Sequence, residues 1–220
     1  MAALTNALQA LGARAKQTIT RRPNAVADLH NAVRDAARQN ANDLKQPGPH
    51  LDALLNAMSA VDAAALGIDD VQRPGACTYL GIVEHADYAI AAFVLAPHAK
   101  IPLHDHPHMT VLSRVVRGSL HVTSFDVGAD GKARRSSSIM TSAGGPAALF
   151  PCQDNVHEFV AGADGACVLD VIVPPYDEAS GRDCHYFEAA AIGDGVFRLR
   201  EIPEPADFEC LGAVYTGLRP

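Results

Sequence analysis

The sequence contains no CxxC pair. Its five cysteines, Cys77, Cys152, Cys167, Cys184 and Cys210, are odd in number and widely spaced, which excludes a zinc ribbon and a small disulfide framework. Reduced thiols in a cytoplasmic compartment are the expectation. No cluster of lysine and arginine is present, and the formal charge is −7 with histidine neutral. Such a chain is poorly suited to nucleic acid or to an anionic membrane surface, so neither is expected as a partner. The N-terminal stretch 1–20 has no uninterrupted apolar run, because Asn6, Gln9, Arg14 and Lys16 break its alanines. Neither a signal peptide nor a membrane span is expected there. No internal repeat of fixed period is visible. Tryptophan is absent too, whereas ten histidines are present, and the placement of those histidines carries the argument.

At 220 residues the chain can hold one large domain or two small ones, and 48% hydrophobic with 20% charged residues is the composition of a soluble globule. Residues 1–72 read as helix. Val26, Leu29, Val33 and Ala37 recur at three- and four-residue steps after Pro23-Asn24, a helix start. Leu51, Leu54, Leu55, Met58 and Val61 repeat the pattern after the connector Pro47-Gly48-Pro49. Asp28, Arg34, Asp35 and Arg38 fall mostly off the stripe. A helical layer packed on the rest of the chain is expected, with a partner-binding helix as the other possibility. The expected organisation is a helical segment 1–75 resting on a unit 76–220, together one structural unit. A monomer is expected, because such a segment can cover one end of the remainder without a partner.

From Cys77 onward the period changes to that of strands. Runs at 79–83, 88–95, 101–127, 147–150, 156–160 and 166–173 follow one another, with weaker strands toward Tyr215. Within 101–127, Gly118-Ser119 reads as the turn of a hairpin. Gly144-Gly145-Pro146 and Gly162-Ala163-Asp164-Gly165 read as further turns, and 128–138 opens as a polar loop. The pattern suits an antiparallel all-β barrel or jelly roll.

The chemistry centres on Ile101-Pro102-Leu103-His104-Asp105-His106-Pro107-His108-Met109. On an extended strand residues i and i+2 share a face, so His104 and His106 present two imidazoles together. Neutral imidazole is a common metal ligand, and two on one strand fill half of a tetrahedral shell. His108 has the same parity, but Pro107 intervenes, and a rim position near the metal is expected for it. Asp170, inside the apolar run 168–173, is costly there unless paired or functional.

A jelly roll with an HxH strand and one later histidine, here His157, resembles the cupin arrangement. The commoner cupin pattern adds a glutamate soon after HxH; His108-Met109-Thr110-Val111 offers no carboxylate, leaving three histidines. Such a shell leaves the metal's 2+ charge unneutralised by protein and favours an anionic ligand such as a thiolate. Zinc on the same ligands would give a hydrolytic or hydrating site. The histidine pattern alone leaves open an isomerase or hydrolase using Zn or Mn, and a cupin that only binds a small molecule.

The C-terminal half carries Val168-Leu169-Asp170-Val171-Ile172-Val173-Pro174-Pro175-Tyr176 and then Gly181-Arg182-Asp183-Cys184-His185-Tyr186-Phe187. With IPLHDHP and the stretch 117–126, this resembles the thiol dioxygenase family of cysteamine (2-aminoethanethiol) dioxygenases and plant cysteine oxidases. The resemblance runs from about Tyr79 to Tyr186 and more loosely over the helical segment. It implies a mainly β, cupin-type jelly-roll barrel with an α-helical N-terminal layer. It implies Fe(II) on His104, His106 and His157, and O2 addition to a small thiol or an N-terminal-cysteine peptide to give a sulfinic acid. The family's strand aspartate falls on Asp170 and its pocket tyrosine on Tyr176. A cysteine and tyrosine that become covalently joined in some members fall on Cys184 and Tyr186; simple packing of the two is the other possibility. Departures are His108, where glycine or an acidic residue is common, and a shortened polar loop after Phe125.

Between Asp87 and His104 the chain has no arginine, only Lys100; Arg73 lies before the barrel begins, and Arg114 and Arg117 have unknown facing. A thiol bearing a carboxylate would need a guanidinium anchor, whereas an aminothiol needs none. Cysteamine or an N-terminal cysteine is therefore expected to be preferred to 3-mercaptopropionate.

Overall fold

The computed structural model describes residues 24–40, 44–69 and 75–220. The helix expected over 1–23 lies outside the described residues. Among the described residues two helices come first, α1 (Ala25–Asn40) and α2 (Pro49–Ser59). Asn24 caps α1, its Oδ1 accepting from the Ala27 amide at 3.1 Å. Pro49 opens α2, where its missing N–H removes a donor that would have no partner in the helix. Of the periodic residues, Val26, Leu29, Val33, Leu51, Leu54, Met58 and Val61 are buried, as their spacing predicts, and Ala37 and Leu55 are half-buried.

Ten strands follow: β1 (Cys77–Glu84), β2 (Ala89–Leu95), β3 (Lys100–His104), β4 (Thr110–Val127), β5 (Ala133–Thr141), β6 (Ala147–Leu149), β7 (Val156–Val173), β8 (Tyr186–Gly193), β9 (Val196–Ile202) and β10 (Cys210–Gly212). All pairings are antiparallel except the short parallel contact of β1 with β10. The first halves of β4 and the second half of β7 lie in one sheet, ordered β10–β1–β2–β7–β4–β6. Their other halves continue into a second sheet in which β5, β4, β7, β3, β8 and β9 follow one another and β9 returns to β5. The result is a closed, mainly β barrel with a helical layer on one face. Among the described residues, no helix is long and apolar enough to cross a membrane.

The structure corrects two turns expected from glycine. Gly118 and the stretch 162–165 lie within the continuous strands β4 and β7 and reverse nothing. They crease the two strands where they pass from one sheet to the other. Gly118 and Gly165 have φ of 72° and 74°, and a Cβ on Gly118 would stand 2.1 Å from the Gly165 carbonyl oxygen. Glycine is required because the two backbones touch there, and the ladder slips register at that point. The β4–β5 hairpin turns instead through the first part of the predicted polar loop, 128–132, while residues 133–138 of that stretch are strand in β5. There Gly128 N–H donates to the Lys132 carbonyl at 2.8 Å and Gly131 takes φ 72°.

Strand alternation divides the core. Leu80, Ile90, Ala92, Val94, Leu169 and Val171 face outward onto the helices and share one cluster with Leu29, Val33, Leu54 and Met58. Each fully buried side chain of this size contributes about 1.5–3 kcal/mol relative to exposure. Polar ties complete the contact. Arg114 donates to the Met58 carbonyl at 2.8 Å and reaches those of Ser59 and Val61 as well, which satisfies carbonyls at the end of α2. The opposite faces of the same strands, with Phe93, Ile101, Val115, Val122, Phe159 and Val168, form the barrel interior.

Candidate metal centre

Cross-strand register builds the site. His104, at the end of β3, is the direct partner of His157 on β7 and of Tyr186 on β8. Side chains at paired positions share a face, so this row points into the barrel. His106 follows just past the strand and is held by Asn155, which accepts from its amide at 3.1 Å and donates to its carbonyl at 2.8 Å. The ligand atoms of His104, His106 and His157 lie within 4.8 Å of one another. The expected face-sharing of His104 and His106 is present. His108 is exposed, with φ 63°, and lines a surface depression with Lys45 and Arg182, apart from the triad.

The hydrogen bonds set the tautomers. His104 Nδ1 donates to the Pro102 carbonyl at 2.7 Å, and His106 Nδ1 donates to the Tyr176 hydroxyl at 2.8 Å. The Tyr176 hydroxyl in turn donates to the Asp105 carbonyl at 2.7 Å. Both rings therefore carry their proton on Nδ1 and turn a bare Nε2 inward, the arrangement that orients metal-binding histidines. Burial holds all three imidazoles below their ordinary pKa; for His106 and His157 the neighbouring imidazoles add to it. They are neutral, which is the ligand form.

The residues present fit a metal ion. His106 Nε2 and His157 Nε2 stand 3.2 Å apart. Two neutral acceptors gain nothing from facing each other, whereas nitrogens about 2.0–2.1 Å from one ion lie about 2.9 Å apart in octahedral and about 3.4 Å apart in tetrahedral geometry. The donor set of three imidazoles suits Zn, Cu, Fe or Ni.

The triad opens on a cavity of about 220 Å3 whose walls include Phe93, Ile101, Phe159, Ile172 and Phe208. All four other sequence-predicted residues line it: Asp170, Tyr176, Cys184 and Tyr186. Asp170 is 6% exposed and its Oδ1 has no hydrogen-bond partner. Burial raises its pKa to about 7, against the opposing effect of a hydrogen bond from Ser113. The Cys184 thiol contacts the hydroxyls of both Tyr176 and Tyr186, and burial pushes it up to about 11. Tyr176 is raised well above its ordinary value by burial and then by Cys184.

Sequence reasoning missed four residues here. Asn155 brackets His106; Ser113 faces Asp170; Glu204 accepts from the Tyr186 hydroxyl at 3.2 Å and lines the cavity; Asp105 binds His185 between Cys184 and Tyr186. Asn155 alone had a signal, its place two residues before His157. The arginines of unknown facing are accounted for: Arg114 is spent on the end of α2, and Arg117 pairs with Asp69.

The family model PCO_ADO matches residues 42–219. The chain belongs to this family. It is 32% identical over 181 residues to a protein named probable 2-aminoethanethiol dioxygenase from Dictyostelium discoideum, covering 74% of this chain and 81% of that one. It is 32% identical over 180 residues to the 2-aminoethanethiol dioxygenase of Homo sapiens, covering 64% and 67%. Plant cysteine oxidase 1 of Arabidopsis thaliana is 37% identical over 120 residues, 50% of this chain and 41% of that protein. Among solved structures, an oxalate oxidase in complex with the substrate analogue glycolate aligns with TM-score 0.38 and 16% identity over 47% of this chain and 53% of that one. Membership of PCO_ADO accords with the three-histidine cluster and with the cavity that surrounds it.

Proposed function

We propose that the protein is a thiol dioxygenase that adds both atoms of O2 to the thiol of a small aminothiol, cysteamine, or of an N-terminal cysteine, giving a sulfinic acid. His104, His106 and His157 would hold Fe(II), which supplies binding and activation of O2 beside a coordinated sulfur. The single observation that carries the reading is the cavity lining: three inward Nε2 donors among apolar and aromatic walls, with two carboxylates and, among the described residues, no lysine or arginine.

The chain's own groups then divide the work. Tyr176, through Nδ1 of His106, keeps that ring in the tautomer that offers Nε2. Phe93, Phe159, Ile101 and Ile172 exclude water, which strengthens each polar contact inside. Burial raises the pKa of Asp170, and an ammonium beside it would favour its carboxylate form, so that Asp170 orients an aminothiol. Glu204 adds a second negative group at the cavity. Cys184 and Tyr186 both line the cavity, in the mutual contact that a covalent link between them would need.

We read the helical segment 1–75 and the barrel 76–220 as one unit, supported by their common apolar cluster. A cytoplasmic monomer fits the absence of a CxxC pair from the sequence and the helix-covered outer sheet. The test is metal analysis combined with oxygen consumption. Iron-loaded protein is expected to consume O2 with cysteamine and to yield a product heavier by two oxygen atoms. A zinc-loaded protein that leaves oxygen untouched would favour a hydrolytic cupin.

A further inference from the structure

The cavity does not end at the metal ligands. Phe93, Ile172 and Tyr176 line both it and a second depression of about 540 Å3, so the two adjoin along these side chains. This trough runs over the inner face of the first sheet toward the β1–β2 turn. Its floor is aromatic: Tyr79 on β1 and Phe93 on β2 are cross-strand partners with ring centroids 5.4 Å apart, both half-buried. Its rim carries Glu84, His85 and Asp177, and among the described residues no lysine or arginine lines it.

The rim charges are not equivalent. The Asp177 carboxylate is paired with Arg182 at 3.3 Å. His85 Nδ1 accepts from the Asp87 amide at 3.1 Å. Glu84 accepts only a long hydrogen bond, 3.5 Å, from the Tyr79 hydroxyl, and among the described residues no ion pair engages it. An exposed carboxylate at the edge of an aromatic trough recognises a cation on an otherwise apolar or extended ligand.

Cysteamine is satisfied by the 220 Å3 cavity alone and leaves the trough unused. A peptide whose N-terminal cysteine places its thiol at the triad must lead its remaining residues out, at roughly 3.3 Å per residue, and the trough is the depression that adjoins the cavity across Phe93, Ile172 and Tyr176. We propose that the trough receives the residues after the cysteine of an N-terminal-cysteine peptide, and that Glu84 selects a lysine or arginine among the first of them. The proposal rests on the thiol dioxygenase reading and narrows its substrate to a cationic peptide.

Three amidated peptides, Cys-Lys-Ala-Ala, Cys-Ala-Ala-Ala and Cys-Glu-Ala-Ala, test it on metal-loaded protein, with cysteamine as the control that does not reach the trough. Binding is measured anaerobically by titration calorimetry and turnover by oxygen consumption. The lysine peptide is expected to bind about fivefold more tightly than the alanine peptide, with the glutamate peptide weakest. At about 0.5 M salt the order should flatten, since the rim is exposed. Glu84→Gln should remove the lysine advantage and Glu84→Lys should invert it, both with kcat/KM for cysteamine unchanged. Equal binding of the three peptides, or a lysine preference that survives Glu84→Gln, overturns the proposal. Failure of the dioxygenase reading looks different: no oxygen uptake with cysteamine, while the Glu84-dependent order of peptide binding persists.

Discussion

The Asp105 carboxylate grips His185 at two points, accepting from its backbone amide at 2.9 Å and from its ring Nδ1 at 3.2 Å. The Asp105 amide donates back to the His185 carbonyl at 3.1 Å, and the Asp105 carbonyl accepts from Tyr176. The residue between the two HxH histidines thus fixes the segment that carries Cys184 and Tyr186. Asp105→Ala is expected to cost about 1–3 kcal/mol, because it strands a half-buried donor. Asp105→Asn, which keeps an acceptor for the amide, should recover much of that loss in urea titrations.

Each of His104→Ala, His106→Ala and His157→Ala should abolish metal retention and activity, since three ligands leave no redundancy. Metal content after dialysis decides the point. Full occupancy in any one variant removes that residue from the ligand set.

Asp170→Asn should keep fold and metal and lose most turnover, because the amide preserves shape and removes the charge. It should also change the pH dependence of stability in metal-free protein. The folded pKa, about 7, is above the ordinary 3.8, so the native state holds the proton longer than the unfolded chain. Stability is therefore complete below about pH 4 and falls as pH rises toward 7, by at most about 4 kcal/mol. The Tm of Asp170→Asn minus that of the parent should grow between pH 4 and pH 8. A constant difference would place the carboxylate in an environment unlike the one described.

Substrate charge gives a direct kinetic comparison. Cysteamine should exceed 3-mercaptopropionate in kcat/KM, because Asp170 and Glu204 line the cavity while Arg114, Arg117 and Lys100 are engaged elsewhere. A preference for the acid would refute the charge argument and leave the dioxygenase reading standing.

Gly118→Ala should destabilise the protein by at least about 2 kcal/mol, combining a left-handed φ with a backbone clash. The Tm of the purified variant measures it; a loss below about 0.5 kcal/mol would mean that the crease is soft.

Local rules made much of this legible. Period-three-and-four stripes located α1 and α2, and period-two parity put His104 and His106 on one face. Asp170 stood out as a lone charge in an apolar strand, and it is buried with an unpaired oxygen. Glycine misled where its role was non-local: Gly118 and Gly165 are needed because each meets the backbone of a distant strand, which no window of neighbouring residues reveals. Glu204 and Asp105 escaped notice for a similar reason. Asp105 meets His185 through the pairing of β3 with β8, 80 residues away, and Glu204 meets Tyr186 only because the β8–β9 hairpin folds Ile202 back onto it.

The crease in β7 has a consequence for how the site keeps its shape. His157 lies on the half of β7 that belongs to one sheet and Asp170 on the half that belongs to the other. The two sheets are not separate plates whose spacing can drift, because the same peptide chain runs through both, as β4 does beside it. The interval between a metal-binding imidazole and the buried carboxylate is thereby gauged by covalent bonds along a single ribbon. Breathing of the layers can widen the barrel mouth, but it can hardly change that one interior measurement, so the span offered to a bound aminothiol is set before any ligand arrives.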